Sequence, residues 1–245
     1  MGYSDLVKEL AVEFTNRPFD FVTEADLQVR AVQLLRARLQ PATVAAPSGS
    51  DRNIDAVSYK REYAERVYEK LADSGSMQRV HTEVSFDKGR RFDVVILKPS
   101  LEEGFDWVSS GSKRFHKVDA DAVIGLKYIK NKTFFPVRGG ITGIDDSDSV
   151  DADILKTSAN KLESDLRSLN DLPSHVEKYL LVCSNNNYLY EGELTDAERD
   201  QPIREAVGRM ARRWLCDVSD EVEVHYAHPL GHVCLTEPEK TRRRQ

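Results

Sequence analysis

No apolar run in the 245 residues comes near the ~20 that a membrane-crossing helix needs, although 40% of the chain is hydrophobic. The opening residues, Met1-Gly2-Tyr3-Ser4-Asp5, lack the basic start and apolar core of an export signal. The expectation is a soluble, intracellular, cytoplasmic protein with no membrane partner. Cysteine is scarce, and Cys183, Cys216 and Cys234 are widely spaced and odd in number. They fit neither a disulfide framework nor a zinc pattern and read as reduced, buried thiols. Basic charge is not in excess either: 35 Lys and Arg face 41 Asp and Glu, for a net charge of -6. That balance argues against indiscriminate coating of nucleic acid and confines any DNA contact to a focused basic patch. The chain also carries no internal repeat.

What is present is an alternation of helical and strand-like periods. The length suits a single domain over residues 1–245, with a helical extension at 1–22, an insertion at 99–119 and a basic tail at 238–245. Leu6, Val7, Leu10, Ala11 and Phe14 recur at helical spacing, with Ser4 placed to cap them. A second helix is expected from Thr23 to about Leu39, with Thr23 as cap, Asp26 three residues on and Val22 stapled to Leu27. Residues 41–53 read as a loop. Further helices are expected around Ile54–Leu71, along Leu155, Leu162, Leu166 and Leu169, and along Ile203–Leu215.

Strands are expected at Val80–Phe86, Arg90–Leu97, Asp121–Lys130, Glu177–Cys183 and Val222–Tyr226. The first two flank Asp87-Lys88-Gly89, which suits a three-residue hairpin loop with the glycine in the left-handed position. That loop sets the register and places Glu83 opposite Asp93. On the third strand Gly125 and Lys127 share a face, by simple alternation. Asp93 and Lys127 each sit in the middle of apolar neighbours, where an ionisable residue calls for a reason. The 99–119 insertion carries Lys113, Arg114 and Lys117 among aromatic residues; with Arg91 they are candidate nucleic-acid contacts, by phosphate pairing and base stacking, or else a solvated charge cluster.

Phe92-Asp93 on one strand and Gly125-Leu126-Lys127 on the next resemble the signature of the PD-(D/E)xK nuclease superfamily. The order of elements agrees over roughly residues 23 to 226, and it implies an α/β fold: a restriction-endonuclease-like αβββαβ core, a mixed central sheet flanked by helices. The resemblance implies a Mg²⁺ (or Mn²⁺)-dependent endonuclease that hydrolyses phosphodiester bonds of DNA and acts as a homodimer. It assigns Asp93 as a metal ligand, Lys127 as the catalytic lysine and Glu24 as the acid carried on the first core helix. Glu83 joins Asp93 as a second metal ligand through the register argument. Such carboxylates suit a hard cation that prefers oxygen donors, which acidifies bound water and offsets transition-state charge.

Two positions depart from the signature. Phe92 stands for the nominal proline, which only shapes the strand. Gly125 stands where the acid belongs and removes an oxygen donor. Either the carboxylate has migrated, to Glu83 or Glu24, or the chain is a catalytically inactive module that binds DNA or a protein. An unrelated α/β protein in which Asp93 and Lys127 are structural stays as a third reading.

Overall fold

A computed structural model describes residues 2–44, 66, 69, 75–86, 91–102, 105–107, 113–129, 164–184, 221–229 and 231–234. In chain order the elements are α1 (Tyr3–Asn16), α2 (Glu24–Arg38), β1 (Ala42–Val44), β2 (Ser76–Met77), β3 (Val80–Val84) and β4 (Phe92–Leu97). They continue with β5 (Ser100–Leu101), β6 (Phe105–Trp107), β7 (Lys113–Phe115), β8 (Ala120–Ile129), β9 (Glu177–Ser184), β10 (Val222–His228) and β11 (Gly231–Cys234). Residues 164–170 are also helical. The protein is thus a mixed α/β structure. Strands run in the order β11-β10-β9-β8-β4-β3 in one sheet and β2-β1-β5 in another, and β6 pairs with β7. Both larger sheets are mixed, since β9 is parallel to β10 and β1 to β5 while the other assigned pairs are antiparallel.

The chain divides into two compact units, one formed by residues 1–27, 125–171 and 178–245, the other by 28–124 and 172–177. In the first, α1 buries Leu6, Val7, Leu10, Ala11 and Phe14, the stripe that the helical period predicts. This stripe packs against β10 and β11. Burying a phenylalanine of this kind stabilises by about 2–3 kcal/mol; Phe14 is wholly inaccessible and sits 5.4 Å from Phe21 and 6.1 Å from Tyr128, ring to ring. The Tyr128 hydroxyl donates to the Phe21 carbonyl at 3.1 Å, which ties β8 to the chain just ahead of α2.

The helix starts are instructive. Thr23 and Asp26 form a reciprocal box: Asp26 N–H donates to Thr23 Oγ1 at 3.3 Å, and Thr23 N–H donates to Asp26 Oδ2 at 2.7 Å. The box fixes the first turn of α2, and Asp26 N–H also reaches the Thr23 carbonyl at 3.2 Å. The expected staple is absent, because Val22 is 65% exposed; the buried aromatic Phe21, one residue earlier, takes the apolar place. Ser4 does not cap α1. The helix begins one residue before it, at Tyr3, with the Gly2 N–H on Asp5 Oδ2 at 2.9 Å, and Ser4 is engaged elsewhere.

In the second unit, β3 and β4 pair as Val80↔Ile96, His81↔Val95, Thr82↔Val94 and Val84↔Phe92. This is the register that a three-residue loop dictates, although residues 87–90 themselves lie outside the described residues. Strand β4 continues into β8 through Val94↔Ile124, Val95↔Val123 and Ile96↔Ala122. Val94 to Leu97 are buried throughout, as a central strand requires. Arg79 anchors the strand ends, donating from Nε to the Leu97 carbonyl at 2.6 Å and from Nη2 to Asp121 Oδ2 at 2.8 Å. Part of the expected 41–53 loop is strand β1, and the 99–119 insertion contains β5, β6 and β7. The helices expected over 54–71 and 203–215 and the basic tail fall outside the described residues, apart from helical Arg66 and Glu69.

Candidate functional site

Within the second unit, α2 presents Gln28 to the β3–β4 hairpin. Its amide Nε2 donates to Glu83 Oε1 at 2.8 Å and to Asp93 Oδ1 at 3.3 Å. One amide therefore gathers two carboxylates, one exposed and one half-buried. Adjacent pairs Thr82↔Val94 and Val84↔Phe92 bracket them, so Glu83 lies across from Asp93. Glu83 carries a positive φ of 54°, unique among the described non-glycine residues. A β-carbon in this left-handed region costs on the order of 1 kcal/mol or more, and such strain concentrates where a side chain is being aimed. The donor set is all oxygen and accessible to water, which fits a hard cation such as Mg²⁺.

Within the first unit, Lys127 on β8 lies 3.1 Å from Asp165 Oδ2 and 3.6 Å from Glu24 Oε2. Its side chain is 21% exposed, so the two carboxylates supply much of the compensation that a partly buried ammonium needs. Glu24 is fixed in turn by the Tyr128 N–H, at 3.3 Å from Oε2. The nuclease signature has an acid two residues before this lysine, where this chain has Gly125. The acids beside Lys127 come instead from helical residues 164–170 and from α2.

Gly125 explains why. A β-carbon built there would lie 3.1 Å from Leu180 Cδ1 and 3.5 Å from Leu169 Cδ1. The glycine thus faces packed leucines of β9 and of the 164–170 helix, and a carboxylate there would enter apolar surroundings. Asp165 sits one turn before Leu169 on that same helix, so the helix seals position 125 with a leucine and serves Lys127 with an acid.

The other expected contacts are spread over the second unit. Arg91 is exposed just before β4, and half-buried Lys117 opens the 3-10 turn Lys117–Asp119. Lys113 and Arg114 occupy β7, at register positions opposite Trp107 and Asp106 of β6. Asp121, on the same strand face as Gly125, is committed to Arg79.

A second polar cluster escaped the sequence reading. On the β10–β11 hairpin, Glu223, His225, His232 and Cys234 share one face, since His225 pairs with Cys234 and Ala227 with His232. His225 Nε2 is 2.6 Å from Glu223 Oε1, and His225 Nδ1 is 3.3 Å from His232 Nε2. From α1, the Ser4 hydroxyl donates to Glu223 Oε1 at 2.5 Å. Burial pushes the Glu223 carboxyl up, but hydrogen bonds from His225 and Ser4 and the charges of His225 and Lys8 outweigh it and hold it below the usual range. Burial, with the charges of His225 and Lys8, lowers His232. The signal was the spacing Glu-x-His-x6-His-x-Cys, legible only once both halves are recognised as strands.

No family model, curated protein or solved structure matches this chain.

Proposed function

We propose that the protein is a metal-dependent nuclease of the restriction-endonuclease-like kind, hydrolysing phosphodiester bonds in DNA. The observation that carries the reading is the Gln28 amide bridging Glu83 and Asp93, which brings together two carboxylates from adjacent strands. In this reading Asp93 and Glu83 hold Mg²⁺ or Mn²⁺, with Gln28 fixing their orientation. The bound cation supplies a lowered water pKa and neutralises charge on the phosphoryl oxygens. By the resemblance alone, Lys127, which pairs with Glu24 and Asp165, is the lysine that would orient the attacking water and offset negative charge. Arg91, Lys113, Arg114 and Lys117 are the proposed phosphate contacts, and a homodimer would cut both strands.

The test is incubation of the purified protein with supercoiled and branched DNA in Mg²⁺ or Mn²⁺. Nicking that disappears in Asp93→Ala and in Lys127→Met is the expected result. Absence of nicking with every substrate, or nicking that survives Asp93→Ala, removes the reading.

A second reading, a module of the same fold that binds DNA without cutting it, is favoured by the leucines packed about Gly125. It predicts binding that weakens steeply with salt and needs no divalent cation.

A further inference from the structure

The β10–β11 hairpin has the composition and geometry of a centre for a softer ion than Mg²⁺. A ligand atom from each of Glu223, His225 and Cys234 lies within 4.8 Å of the other two, and Glu223 and His225 are buried. His232 joins through its Nε2, 3.3 Å from His225 Nδ1. Two nitrogens bound to one tetrahedral zinc at about 2.0–2.1 Å would be separated by about 3.4 Å. The pair is therefore already at the edge length that a shared ion imposes.

The hydrogen bonding prepares the same arrangement. Once His225 gives up its Nδ1 proton for a bound ion, its Nε2–H stays directed at Glu223 and the Nδ1 lone pair points toward His232. A carboxylate behind an imidazole is the usual partner of a metal-bound histidine; it fixes the tautomer and raises ligand basicity. Imidazole and thiolate together select zinc over magnesium or calcium. Charge balances as well: the Glu223 carboxylate and a Cys234 thiolate offset a dication, and Lys8 on α1 is the neighbouring positive group.

We infer that Glu223, His225, His232 and Cys234 form a Zn²⁺ site that draws its ligands from these four side chains. Binding releases the Cys234 thiol proton and any proton on the ligating imidazole nitrogens to solvent, and no redox change is involved. Because the ligands come from both strands, the ion clips β11 to β10.

The experiment uses the full chain stripped of metal by a chelator, titrated with Co²⁺ and then Zn²⁺. One equivalent of Co²⁺ should give the visible bands of a tetrahedral centre and a near-ultraviolet thiolate-to-cobalt band, both bleached by one equivalent of Zn²⁺. Zn²⁺ should raise the unfolding midpoint of the wild-type protein by several degrees, a readout that needs no variant and no nuclease activity. Cys234→Ser should abolish the thiolate band, whereas Cys183→Ser keeps it. The half-buried His232→Asn variant should weaken Zn²⁺ binding by tenfold or more. Absence of stoichiometric binding at micromolar metal, or a thiolate band that persists in Cys234→Ser, overturns the site. Since nicking plays no part, the outcome is independent of the nuclease proposal.

Discussion

Glu83 and Asp93 on the β3–β4 hairpin, and the Glu223 group on the β10–β11 hairpin, are built by the same device and to opposite chemical ends. Each uses strand alternation to line up polar side chains on one face, and each takes a further contact from a helix: Gln28 of α2 in one, Ser4 of α1 in the other. The first offers only oxygen, and Glu83 is exposed. The second offers nitrogen and sulfur, and the His225 side chain has no exposure at all. An exposed oxygen pair leaves a hard cation its water, the species a hydrolase needs. A buried nitrogen and sulfur set favours a softer ion whose binding energy becomes folding energy.

The largest expected effect breaks the comparison at the first hairpin. Asp93→Asn should lower Mg²⁺-dependent nicking by about two orders of magnitude or more, because each 1.36 kcal/mol of lost charge stabilisation is tenfold in rate. The cobalt spectrum of the second hairpin should not change, so paired measurements on one sample separate the two groups.

Next in size is Gly125→Glu, which would install the acid of the nuclease signature that the chain resembles. The leucines about that position predict a loss of about 3 kcal/mol or more in urea unfolding, from overpacking and from a carboxylate brought among apolar groups. Unchanged stability with a gain of nicking would show instead that position 125 has room for the acid.

A pH series probes the buried hairpin. Burial pushes His228 on β10 down to about 4 from its ordinary value of 6.5. The folded state therefore holds this ring neutral while the unfolded chain takes up a proton below pH 6.5. The stabilisation is complete above about 6.5, falls as pH drops toward 4 and is gone below, on the order of 3 kcal/mol in all. Urea unfolding from pH 7.5 to 4 should show this slope, and His228→Gln should flatten it.

The smallest effect isolates strain from ligation. Glu83→Gly removes a carboxylate but relieves a positive φ, so the fold should gain up to about 1 kcal/mol while nicking falls. Lost stability would mean that the Gln28 contact outweighs the backbone strain.

How much of this was legible depends on the range of the forces involved. The stripe from Leu6 to Phe14 and the Thr23–Asp26 box are local, set within one or two helical turns, and both are present. The β3–β4 register was legible because alternation leaves only two choices and the turn length selects between them. Strands β1, β5, β6 and β7 were not, since segments of two or three residues take their stability from neighbours far along the chain. Asp165 was missed for the same reason: nothing in helical residues 164–170 announces that one acid will meet a lysine on β8. The Glu223 group fell between two motifs. Each half holds two polar side chains, and only the pairing His225↔Cys234 brings the four onto one face.

The sequence by itself determined the α1 stripe, the Thr23–Asp26 box, the alternation that aligns Glu83 with Asp93, and the face shared by Gly125 and Lys127, because these follow from the fixed periods of helix and strand. Tertiary structure decided what stands against each face: leucines at Gly125, Asp165 and Glu24 at Lys127, Gln28 at Asp93, and a second hairpin strand at His225. A period fixes the direction in which a side chain points, but its partner is chosen by packing between segments distant in sequence.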